Sequence, residues 1–180
     1  MVVETVVVAL WAMLPAYVPN NAAVLLGGGP PIDGGREWRG RRLLGDGKTW
    51  RGTAAGIAVG LAVALLLNAV QPTATASTGF ELPAFPRRVA LALAAGAMLG
   101  DILASFLKRR TGRKRGASFP GLDQLDFVVV ALVLTFVVAP AWFGEVFTIP
   151  RLVVVLLATP LLHLSTNAGA YVLGLKDEPY

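Results

Sequence analysis

Five long apolar stretches constrain the fold of this 180-residue chain more than any other feature of its sequence. At about 1.5 Å of helix rise per residue, each stretch approaches the ~30 Å hydrocarbon thickness of a bilayer. The composition agrees, because 55% of the residues are hydrophobic and only 15% are charged, whereas about 25% are charged in an ordinary soluble domain. We therefore predict one all-α integral membrane domain, 1–180, with five transmembrane helices at about 2–18, 53–70, 89–107, 127–143 and 152–173.

The basic residues are divided unevenly between the two sides of these predicted helices. Thirteen of the 16 lysines and arginines lie between the first and second helices, between the third and fourth, or after the fifth. The other connections contain only Arg87, Arg88 and Arg151. The positive-inside rule then places the N-terminus outside and the C-terminus and both basic loops in the cytoplasm. The first helix lacks the basic flank of a secretory signal, so we expect it to be retained as part of a multi-pass protein of the cell membrane.

Glycines recur at every fourth position in the second and third predicted helices. They are Gly52, Gly56 and Gly60 in the second, and Gly96 and Gly100 in the third. This spacing places residues without side chains on one face of each helix, where two backbones can approach closely. We interpret these glycines as helix-packing residues rather than ligand contacts.

Asp101 carries a charge that is unfavourable on a lipid-facing surface of a helix. It precedes Lys108 by seven residues, which places it about 10 Å inside the third helix. A carboxylate at such a depth costs at least ~2.5 kcal/mol on insertion scales, so it needs a partner, a cation or a wet cavity. Because Ser105 and Lys108 follow at i+4 and i+7, the three residues form one stripe toward the cytoplasm. Asp101 belongs either to a structural ion pair or, as we favour, to a functional site.

Two further acids, Asp123 and Asp126, lie in the predicted first turn of the fourth helix. Acids at this position can cap a helix and complement its dipole. With Asp101 they also form a set of three carboxylates at one cytoplasmic membrane edge, in a chain that has no Cys and a single His. Hard oxygen ligands suit Mg²⁺, which combines one or two carboxylates with substrate phosphates. We therefore predict that Asp101, Asp123 and Asp126 bind Mg²⁺.

The first basic loop ends in a glycine-rich segment, Gly45-Asp46-Gly47-Lys48-Thr49-Trp50-Arg51-Gly52. It is not a Walker A loop, because position 42 is Arg where that motif requires Gly. Its small residues would let backbone N–H groups approach an anion, and Lys48 and Arg51 lie at the positive end of the second helix. Phosphate is the expected ligand. The other arginines of this loop, including Arg39, Arg41 and Arg42, are interpreted first as topological anchors near anionic lipid.

Two blocks of the sequence resemble the signature of the membrane CTP:lipid-phosphate cytidylyltransferases. The first, Gly100-Asp101 with Ser105 and Lys108-Arg109, follows G-D-x-x-x-S-x-x-K-R; the second is Pro120-Gly121 followed by Asp123 and Asp126. Pro19-Asn20-Asn21 and the segment 45–52 are similar to the archaeal branch of that family, the CDP-archaeol synthases. The H-G-G that follows P-G in other branches is absent, and Gln124 replaces the Arg of their D-R-x-D.

This resemblance implies an enzyme that joins CTP to an isoprenoid glycerol phosphate, 2,3-bis-O-geranylgeranyl-sn-glycerol 1-phosphate, and releases pyrophosphate in a Mg²⁺-dependent reaction. It implies metal and catalytic roles for Asp101, Asp123 and Asp126, and a catalytic role for Lys108. The substrate-binding residues implied by matching position are Asn20, Lys48, Thr49, Arg51, Ser105 and Arg109. The partners would be CTP, the lipid phosphate and the bilayer, with no nucleic acid.

A small transporter or channel for ions or anions is the alternative function. Asp101, His163 and Asn167 would then lie along a conduction path. That function predicts charge spread across the membrane depth, whereas the polar residues here are concentrated on the cytoplasmic side. A CDP-alcohol phosphotransferase is a nearer rival, but the residue three before Asp33 is Pro30, so its D-x-x-D-G opening is missing.

Overall fold

The computed structural model describes residues 1–112 and 122–172, without the side chains of Leu122, Asp123, His163, Asn167 and Ala170. Within these ranges the chain forms seven helices and one short hairpin. The helices are α1 (Val2–Tyr17), α2 (Pro19–Leu26), α3 (Trp50–Thr78), α4 (Arg87–Arg110), α5 (Leu122–Val138), α6 (Pro140–Val146) and α7 (Ile149–Val172). The antiparallel strands β1 (Glu37–Trp38) and β2 (Arg41–Arg42) lie in the loop between α2 and α3.

The described part of the chain contains four helical stretches that are long and apolar enough to cross a membrane. They are Val2–Leu26, Trp50–Thr78, Arg87–Arg110 and Ile149–Thr166. The helix α5, which contains most of the predicted fourth span, is apolar but has only 17 residues. The helical membrane architecture is thus confirmed, while the fifth span and the orientation of the chain stay predictions.

Prolines set two helix boundaries that the apolar pattern alone does not locate. The first apolar stretch does not end at residue 18, because α2 begins at Pro19 and continues to Leu26. The predicted helix 127–143 is divided, since α5 ends at Val138 and α6 begins at Pro140. Proline lacks a backbone N–H and fits best in the first turn of a helix, so each proline favours a new start over continuation.

The glycines of α3 face the backbone of α1 and α2. A Cβ atom built on Gly60 would lie 2.7 Å from the Pro15 carbonyl oxygen, and one on Gly56 would lie 2.8 Å from that of Pro19. Gly52 repeats this approach one turn earlier, 3.1 Å from the Ala23 carbonyl oxygen. The distances at Gly56 and Gly60 leave no room for a side chain, and the one at Gly52 is tight, so the structure confirms the predicted packing role of this face.

The helix α4 lies at the centre of the fold and packs mainly against α5. A Cβ on Gly96 would lie 2.6 Å from the Cα of Ala131. One turn later, a Cβ on Gly100 would lie 2.5 Å from the carbonyl oxygen of Asp126 and 2.6 Å from the Cα of Phe127. The core around this contact is fully buried and includes Met13, Val89, Leu93 and Val128. The glycines therefore fix how closely α5 approaches the segment of α4 that contains Asp101.

Candidate active site

Lys48 and Asp101 form an ion pair between the first loop and α4. The Nζ atom of Lys48 lies 2.5 Å from Oδ2 of Asp101, and the two side chains are 24% and 25% exposed. Asp101 thus has the partner that a carboxylate inside a membrane helix requires. A structural pair was one of the two interpretations of Asp101, but both groups remain partly accessible, so the pair can also contact a ligand.

A pocket opens beside this ion pair, between α2, the first loop, the start of α3 and the middle of α4. Its volume of about 90 Å³ is smaller than the ~300–1,000 Å³ of clefts that enclose a whole ligand, so it can hold only part of a substrate. The polar lining comes from Asn20, Lys48, Thr49, Thr53 and Asp101. Residues from the two separate sequence blocks therefore meet at one cavity.

Asn20 presents an unusual group to this pocket. It lies in the first turn of α2, and its Oδ1 atom is buried without a hydrogen-bond partner. A buried polar atom left without a partner costs ~1–3 kcal/mol. The oxygen is therefore suited to accept a hydrogen bond from a ligand or to contact a cation in the pocket.

Thr49 and Arg51 lie at the start of α3 in different environments. Thr49 is buried and is the N-cap of α3, where its side chain accepts a hydrogen bond of 3.0 Å from the N–H of Gly52. Because Thr49 also lines the pocket, the positive end of the α3 dipole faces this cavity. Arg51 is exposed and does not line the pocket.

Asp101 and Asp126 are brought to neighbouring positions by the contact between α4 and α5. Gly100, which directly precedes Asp101, packs against the backbone of Asp126. The Oδ1 atom of Asp126 accepts the N–H of Phe127 at 2.6 Å. Asp123 lies one turn earlier in α5, and its side chain is outside the described residues. Among the groups that the structure describes, no set of three Asp, Glu, His or Cys side chains is clustered around a metal position.

The other predicted residues follow Asp101 toward the end of α4. Ser105, Lys108 and Arg109 are all half-buried. The Nε atom of Arg109 lies 3.8 Å from the position that a Cβ on Gly45 would take, so the end of α4 contacts the glycine-rich segment. This contact joins the two sequence blocks at a second point, nearer the C-terminal end of α4 than Asp101. The side chains of His163 and Asn167 are outside the described residues.

Asp33 organises the first loop, although sequence reasoning did not select it. Its carboxylate is 1% exposed and forms two hydrogen bonds, of 2.8 and 3.3 Å, with the guanidinium of Arg42. It also accepts the backbone N–H groups of Gly35, Leu44 and Gly45 at 3.0–3.1 Å. The Arg42 guanidinium above all, supported by these N–H groups, holds the pKa of Asp33 well below its ordinary value although burial opposes the shift.

Arg42 therefore differs from the topological anchor that its sequence suggests. Its side chain is turned into the loop, where it contacts Asp33 and also Asp46, at 2.7 Å. The only sequence signal for this arrangement is an Asp before two glycines in a loop, a pattern that also occurs in ordinary turns.

Arg110 attaches the hairpin of the first loop to the end of α4. Its guanidinium donates hydrogen bonds of 2.6–3.0 Å to the carbonyl groups of Trp38, Arg41 and Arg42. It also lies over the rings of Trp38 and Phe106, with 5.2 and 5.6 Å to the ring centroids. The loop is thus fixed to α4 through Arg110 as well as through the Lys48–Asp101 pair.

Comparison with known proteins gives the same result from the family model, from curated relatives and from a solved structure. A family model described as CDP-archaeol synthase, CarS-like, matches residues 2–180. The chain is 67% identical to the CDP-archaeol synthase of Halobacterium salinarum, covering 99% of this chain and 98% of that protein. It is 66% identical to the CDP-archaeol synthase of Halorubrum lacusprofundi over the full length of both. A solved structure described as an intramembrane enzyme for archaeal membrane lipid biosynthesis is 38% identical, with a TM-score of 0.72, covering 88% of this chain and 92% of that one.

Proposed function

The chain belongs to the CDP-archaeol synthase family, and from this premise we propose how its site works. It is a multi-pass membrane enzyme of lipid biosynthesis that forms CDP-archaeol. The family assignment replaces the transporter alternative. We propose that CTP reacts with an isoprenoid glycerol phosphate, 2,3-bis-O-geranylgeranyl-sn-glycerol 1-phosphate, at the cytoplasmic edge of the membrane, with release of pyrophosphate.

The observation that carries this proposal is the Lys48–Asp101 pair beside a pocket with a buried, unpartnered amide oxygen. Attack of a lipid phosphate oxygen on the α-phosphorus of CTP needs no protein nucleophile, because the second pKa of a phosphate monoester is about 6 and the group is ionised near pH 7. The main task is to bring two polyanions together. A cationic group and a carboxylate in one partly enclosed pocket suit that task.

Lys48 is the cationic residue of the pocket lining, and further cationic groups follow Asp101 along α4. Lys48 and the N-terminal end of α3 would contact phosphate oxygens deep in the site. Ser105, Lys108 and Arg109 continue along α4 toward the surface, where they would bind the rest of the triphosphate. Arg51, which is exposed at the start of α3, would contact substrate only at the mouth of the site.

Mg²⁺ fits the oxygen groups that this part of the chain provides. Asp101 is partly exposed in the pocket, and Asn20 presents an unpartnered oxygen. Asp126 lies on α5, which packs against Gly100, the residue before Asp101. We propose that Asp101, Asp123 and Asp126 hold the ion. When bound, it would neutralise negative charge on the phosphates of CTP and pyrophosphate. Lys48 would then be available to contact a phosphate in place of Asp101.

The lipid tails would remain in the bilayer beside α2. Ala23, Val24 and Met98 form the apolar part of the pocket lining. Val24 and Leu25 on α2 are 83% and 79% exposed, and we propose that this apolar surface faces the lipid. A glycerol phosphate group could therefore enter the pocket while its hydrocarbon chains stay against this surface.

The test is transfer of label from CTP into lipid by the purified enzyme in lipid vesicles. With [α-³²P]CTP, the lipid phosphate and Mg²⁺, the wild-type protein should produce labelled lipid. Asp101→Asn should abolish turnover. The amide preserves the size of the side chain but not the ion pair with Lys48, so thermal unfolding is measured alongside to check that the variant is folded. Near-normal Mg²⁺-dependent turnover by this variant would contradict the proposed site. Asp46→Asn is the matched control, since Asp46 is an exposed carboxylate of the same loop that lies outside the pocket.

A further inference from the structure

The position of Lys48 depends on a loop with little regular structure. The loop runs from Gly27 to Thr49 and contains only the two short strands β1 and β2. Both the N–H and the carbonyl group of Lys48 nevertheless form backbone hydrogen bonds. Its N–H group donates to the carbonyl of Gly45 at 3.3 Å, and its carbonyl accepts the N–H of Ile32 at 2.8 Å.

Both of these attachment points lead to Asp33. Ile32 is the residue before Asp33, and the N–H of Gly45 is bonded to the Asp33 carboxylate. Arg42, which forms two bonds with Asp33, also contacts Asp46, but Asp46 is exposed and a surface pair of this kind contributes little. Asp33 does not line the pocket beside Lys48 and Asp101, so it acts at a distance from the ligand.

We propose that Asp33 is a positioning residue, which holds the segment 44–48 in the conformation that places Lys48 against Asp101. The expected effect of Asp33 on turnover rests on the proposed role of Lys48 in the reaction. The expected effect of Asp33 on the position of Lys48 does not. A carboxylate is required because both of its oxygens are acceptors, and five N–H donors meet them here. An amide offers one acceptor oxygen and turns an NH₂ group toward N–H donors. Asp33→Asn therefore disrupts the hydrogen-bond network while the size of the side chain stays the same.

The first experiment measures the position of residue 48 without using activity. The chain has no Cys, so the variant Lys48→Cys/Asp101→Cys places the only two thiols at the ion pair of the full-length protein. A short bifunctional thiol reagent should join them efficiently. Adding Asp33→Asn should slow this cross-linking roughly tenfold, as expected for loss of one or two buried hydrogen bonds. Adding Asp46→Asn, which removes the exposed partner of Arg42, should leave the rate within about twofold.

An unchanged cross-linking rate in the Asp33→Asn background would overturn the proposal, whatever Lys48 does in the reaction. Thermal unfolding of each variant in the same detergent shows whether the protein is folded. If Asp33→Asn is not folded, Arg42→Lys serves instead, because it keeps the charge but loses the two-point contact with Asp33. Slower cross-linking by folded Arg42→Lys supports the proposal, and an unchanged rate overturns it.

The second experiment measures whether Asp33 acts on turnover through Lys48. The kcat values of Asp33→Asn, Lys48→Ala and the double variant form a double-mutant cycle. In the wild-type background, Asp33→Asn should lower kcat about 10-fold, the same factor as the expected slowing of cross-linking at residue 48. In the Lys48→Ala background, Asp33→Asn should cause no further loss of kcat. Equal losses in both backgrounds would overturn the proposal. If cross-linking slows but Lys48→Ala keeps full turnover, Asp33 still positions the loop and the proposed role of Lys48 is the part that fails.

Discussion

The ammonium group of Lys48 lies 2.5 Å from the carboxylate of Asp101, although the two residues are 53 positions apart in the chain. This contact joins a loop outside the apolar helices to a charged residue inside one of them. Each group stabilises the other in a place where either alone would be unfavourable. A ligand that binds Lys48 has to compete with Asp101, and a ligand that binds Asp101 has to compete with Lys48. We therefore expect ligand binding to change when either residue is substituted.

Lys48→Met should lower kcat/KM for CTP by about 100-fold or more, because removing a preorganised charge near reacting phosphates has an effect of this size. Lys48→Arg, which keeps the charge but changes its geometry, should retain more of the activity. Initial rates at varied CTP concentration test both variants. Unchanged kcat/KM in Lys48→Met would show that Lys48 does not contact the nucleotide.

Asn20→Ala should reduce substrate binding with little effect on stability, because the Oδ1 atom of Asn20 has no hydrogen-bond partner in the folded protein. Asn68→Ala provides the opposite control. The Asn68 amide binds both the N–H and the carbonyl of Phe85, at 2.7 and 2.9 Å, far from the pocket. We expect this control to lower the melting temperature and keep KM for CTP. Measurements of KM and thermal unfolding on both variants separate the two effects, and a destabilised Asn20→Ala would contradict the assignment.

Gly100→Ala should separate α4 from α5 and impair the candidate site. The added methyl group would lie 2.5 Å from the Asp126 carbonyl oxygen, and overpacking of this kind costs ~1–3 kcal/mol. We expect a lower melting temperature and weaker dependence of activity on Mg²⁺. Gly144→Ala is the control, because nothing lies within 4 Å of its added methyl group. Equal melting temperatures for the two variants would show that α5 does not pack on Gly100 as described.

The contribution of Asp33 to stability should depend on pH only under acidic conditions. The pKa of the folded-state carboxyl is lowered from its model-compound value of 3.8. Such a group stabilises the protein fully above the unfolded-state value, and this contribution is lost as the pH falls below it. The difference in melting temperature between wild type and Asp33→Asn should therefore be constant from pH 5 to pH 8 and shrink below pH ~4. A difference that changes between pH 5 and pH 8 would show that another group is responsible.

The apolar stretches were sufficient to predict the helical membrane fold, because burial in lipid imposes length and composition directly on the sequence. Helix boundaries were less predictable. Pro15, Pro72 and Pro160 lie inside helices, whereas Pro19 and Pro140 begin new ones. Whether a proline breaks a helix depends on how neighbouring elements pack, which a single sequence does not record.

The candidate site was predictable where a residue conflicted with its surroundings. Asp101 was identified because a carboxylate is unfavourable within an apolar helix, and Lys48 because it lies in a glycine-rich segment at a helix start. Asp33 gave no such conflict, since an Asp followed by glycines is ordinary in a loop. Its partners, including Arg42 and Leu44, became apparent only when the loop was folded.

The row of glycines along α3 also has a mechanical consequence. Because carbonyl groups of the preceding helices fit directly onto Gly52, Gly56 and Gly60, a small slide or rotation between these helices would drive the two backbones into each other. We expect this side of the pocket to behave as a stationary wall during turnover. Any widening that admits a bulky lipid headgroup would then have to come from displacement of the loop that contains Lys48, or of α5.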